Sequence, residues 1–179
     1  MSKGRLVRGI LLSLGLAISL VAFLSYEVLY VKRGTIFDQY ETGRGTLTLK
    51  VTSFHETAWL LFVPGAIYDF EANPAGESWE HVMTVRIDDP NPIPRSQIRF
   101  LDERTAYLFM AWKYAVTRDG GITWSVWNAR EDASLKCRSY ISDVQLESNG
   151  VGTMQLELYQ QHTNCTLRTT DYGLHWIAK

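Results

Sequence analysis

The chain has 179 residues, 46% of them apolar and 21% charged, with a formal net charge of −1. That balance suits one globular domain plus an appendage and excludes intrinsic disorder. It also excludes the basic field that phosphate-backbone binding needs, so no nucleic-acid partner is expected.

The first element is apolar. Lys3, Arg5 and Arg8 precede a charge-free run over 9–26, which Glu27 ends. At 1.5 Å per residue this run spans roughly 27 Å as a helix, and extension to residue 31 covers a full hydrocarbon core. The positive flank stays in the cytoplasm. Residues 1–8 are therefore expected inside, 9–31 as a transmembrane anchor, and the remainder outside. A cleaved signal peptide is the rival reading. Its small-x-small site is Ala17-Ile18-Ser19, and cutting there leaves an apolar stretch on the mature end. No Cys lies near this segment, which excludes a lipoprotein.

Residues 32–45 read as a short polar connector, and 46–179 as an extracytoplasmic domain. Within that domain no long helical period appears. Strand-like runs fall at 46–54, 59–62, 67–71, 81–87, 97–101, 105–117, 123–127, 140–146, 153–159 and 165–169, separated by Gly, Pro, Asn and Asp. Many short strands with frequent turn signals predict an antiparallel all-β domain. The proline-rich stretch 88–94 is unsuited to a strand interior and is expected to run extended between sheets. Cys137 and Cys165 are the whole cysteine complement. Both lie in the part expected outside, where disulfides persist. Paired, they close a loop of about 28 residues, worth roughly 3 kcal/mol on the chain-entropy view; two buried thiols are the alternative.

Two segments share one pattern, Thr-x-Asp-x-Gly-x-(Thr/His)-Trp. The first is Thr117-Arg118-Asp119-Gly120-Gly121-Ile122-Thr123-Trp124, the second Thr169-Thr170-Asp171-Tyr172-Gly173-Leu174-His175-Trp176. A decayed third copy runs over 68–79 and ends in Trp79. The three Trp residues are about 45 and then about 52 residues apart, the length of a four-stranded propeller blade.

On these motifs the chain resembles the BNR or Asp-box repeat proteins, a group that includes sialidases, photosystem assembly factors and sortilin-type receptors. The likeness covers 97–176 well and 46–80 poorly. It implies two to three propeller-blade-like units, with the box itself away from any active site. Each box residue then has a structural task. Asp119 and Asp171 accept bonds from backbone N–H groups just ahead. Gly121 and Gly173 supply positive φ, Thr123 adds a side-chain bond, and Trp124 and Trp176 fold back over the hairpin.

The search for chemistry returns little. A sialidase needs three arginines around a carboxylate, and nothing in the sequence groups three here. His55-Glu56 begins a zinc-protease pattern, but Trp59 stands where the second His belongs. Asp88 and Asp89 have only Asn91 beside them, too few oxygens for Ca²⁺. No nucleophile elbow or phosphate loop is visible, so no catalytic residue, metal or cofactor is expected. Phe109, Trp112 and Tyr114 lie in an apolar run that reads either as a covered central strand pair or as an interaction patch. The expected role is a non-catalytic, membrane-anchored module that binds another envelope protein or itself, an immunity or inhibitor protein being one form of it. The alternative is a glycan-binding module or glycosidase-like enzyme.

Overall fold

In the computed structural model the described residues are 19, 32–57, 65–88, 90–132, 135, 140–157 and 164–178. The expected anchor (Ser19 apart), the strand expected at 59–62, and Cys137 lie outside them. Among the described residues no helix is long and apolar enough to cross a membrane.

The fold is all-β, three antiparallel four-stranded sheets in chain order. The first holds β1 (Lys32–Arg44), β2 (Leu47–Thr57), β3 (Ala66–Pro74) and β4 (Glu80–Ile87). The middle sheet holds β5 (Ile98–Phe100), β6 (Ala106–Met110), β7 (Lys113–Thr117) and β8 (Ser125–Asn128). The last holds β9 (Tyr140–Leu146), β10 (Gly152–Glu157), β11 (Asn164–Thr169) and β12 (Ile177–Ala178). Within each sheet consecutive strands pair, so every sheet is a simple meander. The proline-rich stretch, followed by a 3₁₀ turn at Arg95–Gln97, links the first sheet to the middle one.

One expectation needs correction. Residues 32–45 are not a connector: 32–44 form strand β1, paired with β2 from Lys32↔Thr57 to Arg44↔Leu47. Their polar composition reads as linker because β1 is an edge strand, where charges guard unpaired backbone groups. Phe37 and Tyr40 nevertheless pack against the core. The strand-like run 105–117 is the covered strand pair of the first reading, the hairpin β6–β7 turned at Ala111 (φ 52) and Trp112.

The core explains why that run is so apolar. Ala106, Leu108, Met110 and Ala115 pack with Leu47, Leu49, Val51 and Phe70 of the first sheet. The alternate residues Tyr107, Phe109, Tyr114 and Val116 pack with Val144, Met154, Leu156 and Leu167 of the last sheet. Side chains alternate across a strand, so a sheet covered on both faces loses its polar positions. The sheets therefore stack in three layers with the middle sheet inside.

The two outer faces are polar. On the first sheet, Lys50 pairs with Glu71 at 2.7 Å, Arg33 with Asp69 at 2.6 Å, and Arg86 with the buried Glu56. On the last sheet, Thr153, Gln155, Thr166 and Arg168 alternate with buried neighbours, and Thr166 donates to Gln155 at 2.9 Å. On the outer face of the first sheet Thr52, Glu56, Ile67 and Asp69 are nonetheless buried, so that face is not fully open to water.

Matching ends of the sheets lie together. At one end Arg44 donates to the carbonyls of Phe100 and Leu101, each at 3.2 Å, and Arg118 lies 4.9 Å over the Tyr172 ring. At the other, the Ile141 N–H donates to the Ala111 carbonyl at 2.5 Å. There Arg130 also covers Trp112, 3.4 Å from the ring centre, and approaches Tyr140. Between the ends, Arg99 ties β5 to β9 through the Val144 carbonyl (2.6 Å) and Asp143 (2.8 Å).

Candidate functional site

The two Thr-x-Asp-x-Gly segments form the turns β7–β8 and β11–β12, which sit at the same end of the stack. In the 117–124 turn the buried Thr117 hydroxyl donates to Asp119 Oδ1 at 2.8 Å and accepts from the Gly121 N–H at 2.9 Å. Asp119 Oδ1 also accepts from the Thr123 N–H at 2.9 Å, and Oδ2 from the Thr123 hydroxyl at 2.5 Å. Trp124 folds back and donates Nε1–H to the Gly121 carbonyl at 3.2 Å.

The 169–176 turn repeats this pattern. The Thr169 hydroxyl donates to Asp171 Oδ1 at 2.7 Å and accepts from the Gly173 N–H at 2.9 Å. His175 replaces the second Thr: its N–H reaches Oδ1 at 3.1 Å and its Nδ1 lies 2.6 Å from Oδ2. Trp176 is more deeply buried than Trp124, edge-on to Tyr114 at 5.5 Å, and its Nε1 has no partner among the described residues.

The electrostatics follow from these bonds. Burial raises the pKa of both carboxyls, but donated bonds outweigh it. Thr123 and Thr117 hold Asp119 below the ordinary carboxylate value. The bonds from His175 and Thr169 bring Asp171 down to about 2. Both oxygens of each carboxylate are occupied within the turn. Each carboxylate is thereby held in its ionised form and tied to its own turn.

The decayed third copy occupies the matching turn, β3–β4. Ala75 (φ 56) and Gly76 (φ 76) take the two positive-φ positions, as do Gly120 (φ 77) with Gly121 (φ 92) and Tyr172 (φ 64) with Gly173 (φ 81). The residue ahead of the glycine makes the same bond in all three sheets. Ala75 donates to the Thr46 carbonyl at 3.1 Å, Gly120 to Arg104 at 2.8 Å and Tyr172 to Gly150 at 2.9 Å. The side-chain lock, however, is gone: Pro74 stands two residues before Gly76, where the others carry Asp. Trp79 meets Lys50, whose Nζ lies 4.3 Å from the ring centre, on the polar outer face.

The expected patch does not form as a unit. Phe109 and Tyr114 are interior, 2% and 0% exposed, because the last sheet covers them. Trp112, at the β6–β7 turn, is half-buried under Arg130. Cys165 faces inward on β11 opposite Leu156 and carries no free thiol, whereas its expected partner Cys137 lies outside the described residues.

One contact and one cleft carry little signal in the sequence. Arg118 and Tyr172 occupy variable positions of the two motifs, yet their stacking joins the turns across sheets, and bulky side chains at both positions are the one signal for it. A cleft of about 360 Å³ beside β8, lined by Lys113, Val126, Trp127, Asn128, Glu131 and Asp132, was also unforeseen. Its acids are engaged locally: Trp127 Nε1–H donates to Asp132 at 3.1 Å and Asn128 to Glu131 at 2.7 Å. Among the described residues no three His, Cys, Asp or Glu side chains cluster as a metal would require.

Comparison of the chain with family models, curated proteins and solved structures finds no match.

Proposed function

We propose that this chain is a single-pass membrane protein whose extracytoplasmic domain, three blade-like sheets of the Asp-box kind, binds another envelope protein and catalyses no reaction. The charge-free run over 9–26, extended to residue 31, supports the anchor, and the shared geometry of three turns supports the repeat. One observation carries the binding role. Ile122 and Leu174 hold the same position in the two motif turns and are 66% and 36% exposed, with Val151 at 42% in a turn at the same end. Large apolar side chains at turn tips leave apolar surface in water, and burial of that surface against a partner is favourable.

The test is capture from the envelope with the full solubilised chain, comparing parent protein with the double variant Ile122→Asp/Leu174→Asp. A specific partner, an immunity target included, should be retained by the parent and weakened at least about tenfold by the variant, roughly 1.4 kcal/mol. Undiminished capture by the variant refutes the assigned surface. Cysteine pairing belongs to the same reading: peptide mapping without reductant should recover a Cys137–Cys165 crosslinked peptide.

A glycan-binding role is the second reading, favoured by the Trp127 cleft, since an indole beside amide and carboxylate groups suits a sugar face. Its acids already have internal partners, which is why protein binding is preferred. Calorimetric titration of envelope oligosaccharides against parent and Trp127→Ala decides it; no heat with the parent removes the reading.

A further inference from the structure

Arg118 differs from the arginines that tie strands together. Arg33, Arg86 and Arg99 pair with carboxylates, those of Asp69, Glu56 and Asp143. Arg118 is exposed, and among the described residues no carboxylate pairs with it. It is nonetheless held in place, because its guanidinium lies 4.9 Å from the centre of the Tyr172 ring. That ring is itself fixed. The Tyr172 hydroxyl donates to the Ser148 carbonyl at 2.6 Å, and the Tyr172 N–H to the Gly150 carbonyl at 2.9 Å. A guanidinium over an aromatic ring keeps N–H donors for another partner, and their fork matches the two oxygens of a carboxylate.

The surroundings of this stack decide what that partner is. Arg118 belongs to the 117–124 turn and reaches the 169–176 turn, so it bridges the turns whose tips carry Ile122 and Leu174. Gly150, which accepts the Tyr172 N–H, is followed by the exposed Val151. A protein that covers these three apolar side chains also strips water from the guanidinium among them. A cation stripped of water and left unpaired opposes binding unless an opposite charge replaces the water. The acids of this end leave that need open. Asp119 and Asp171 are tied to their own turns, and the exposed Glu103 and Glu147 make no ion pair with Arg118.

We infer that the partner seats an Asp or Glu side chain on Arg118, set among apolar groups that cover Ile122, Val151 and Leu174. The inference rests on the binding role proposed above and adds the chemistry of the partner, an acidic residue in an apolar surround. Arg and Tyr are enriched where binding energy concentrates, at the desolvated centre of an interface, with near-neutral contacts around them that exclude water.

The experiment extends the envelope capture with the full solubilised chain. Arg118→Gln should weaken capture about thirtyfold or more, the effect of truncating one member of a desolvated charge pair. Arg118→Lys places a nucleophilic amine at the same point. With a carbodiimide, that amine should form an amide bond with the partner's carboxylate, the displaced oxygen leaving in the urea of the reagent. Peptide mapping should then recover position 118 joined to an Asp or Glu of the partner, a link that a purely structural role for Arg118 does not produce. The denaturation midpoints of both variants should stay close to the parent's, since the side chain is exposed. A partner that the parent and Arg118→Gln capture equally, or that yields no link at position 118, overturns the carboxylate while the binding role stands. No partner for the parent overturns the binding role, and the carboxylate with it.

Discussion

The turns 117–124 and 169–176 share a backbone, yet they are held differently. In the first, Thr123 closes the ring of bonds around Asp119, and Gly121 faces Leu47 of the neighbouring sheet. In the second, an exposed His175 closes the ring around Asp171, and Gly173 is wedged between Trp176 and Tyr114. The β3–β4 turn makes a third case, with the same two positive-φ residues and no Thr–Asp lock. A local motif therefore sets the backbone, while the neighbouring sheet decides how much each atom matters.

The glycines test this most severely. All three have positive φ, which alone costs another residue about 1–2 kcal/mol. A Cβ on Gly173 would lie 2.7 Å from both Trp176 Cζ2 and Tyr114 Cε1, atoms of packed rings that cannot yield. On Gly121 it would lie 2.5 Å from Leu47 Cδ1, the far end of a rotatable chain, and on Gly76 it meets nothing within 4 Å. Substitution by Ala should destabilise by about 3 kcal/mol or more at Gly173, about 2 at Gly121 and about 1 at Gly76. Denaturant unfolding measures the order, and a reversed order would break the account.

Next in size are the carboxylates. Asp119→Ala and Asp171→Ala each strip the turn of its acceptor and should cost about 1–2 kcal/mol. Pro74→Ala, in the turn that has no such lock, should stay within about 0.5 kcal/mol by the same unfolding measurement.

Acid sharpens the contrast further. Because the folded Asp171 carboxyl titrates below its unfolded value, its contribution is complete at neutral pH and is lost as pH falls from about 4 towards about 2. The denaturation midpoint of the parent should drop over that window, and that of Asp171→Asn should drop less. Parallel curves would remove the linkage. The smallest effect is the exchange His175→Thr, which makes the second turn like the first. Without the imidazole contact Asp171 should titrate above about 2 by carboxyl carbon NMR, with little change in stability.

Much of this molecule was readable in its residues. The turns were, since Thr, Asp, Gly and Trp within eight positions complete their hydrogen bonds with one another. Strand β4 and the β9–β11 meander were also legible from alternation and turn residues. Strand β1 was not. Its charges suit an edge as well as a linker, and only pairing with β2 separates the two. Nor was the fate of 106–114: a continuous apolar run signals cover on both faces, but not whether the cover is another sheet or a partner, so Phe109 and Tyr114 were candidates for a surface they never reach.

By itself the sequence determined an all-β antiparallel domain and two locked turns, because strand alternation and short-range hydrogen bonding are properties of neighbours along the chain. The tertiary structure alone decided that the sheets stack in three layers, that 32–44 is a strand, that Arg118 meets Tyr172, and that Gly173 tolerates no side chain. These depend on atoms far apart in the chain, whose meeting is set by which faces must leave water.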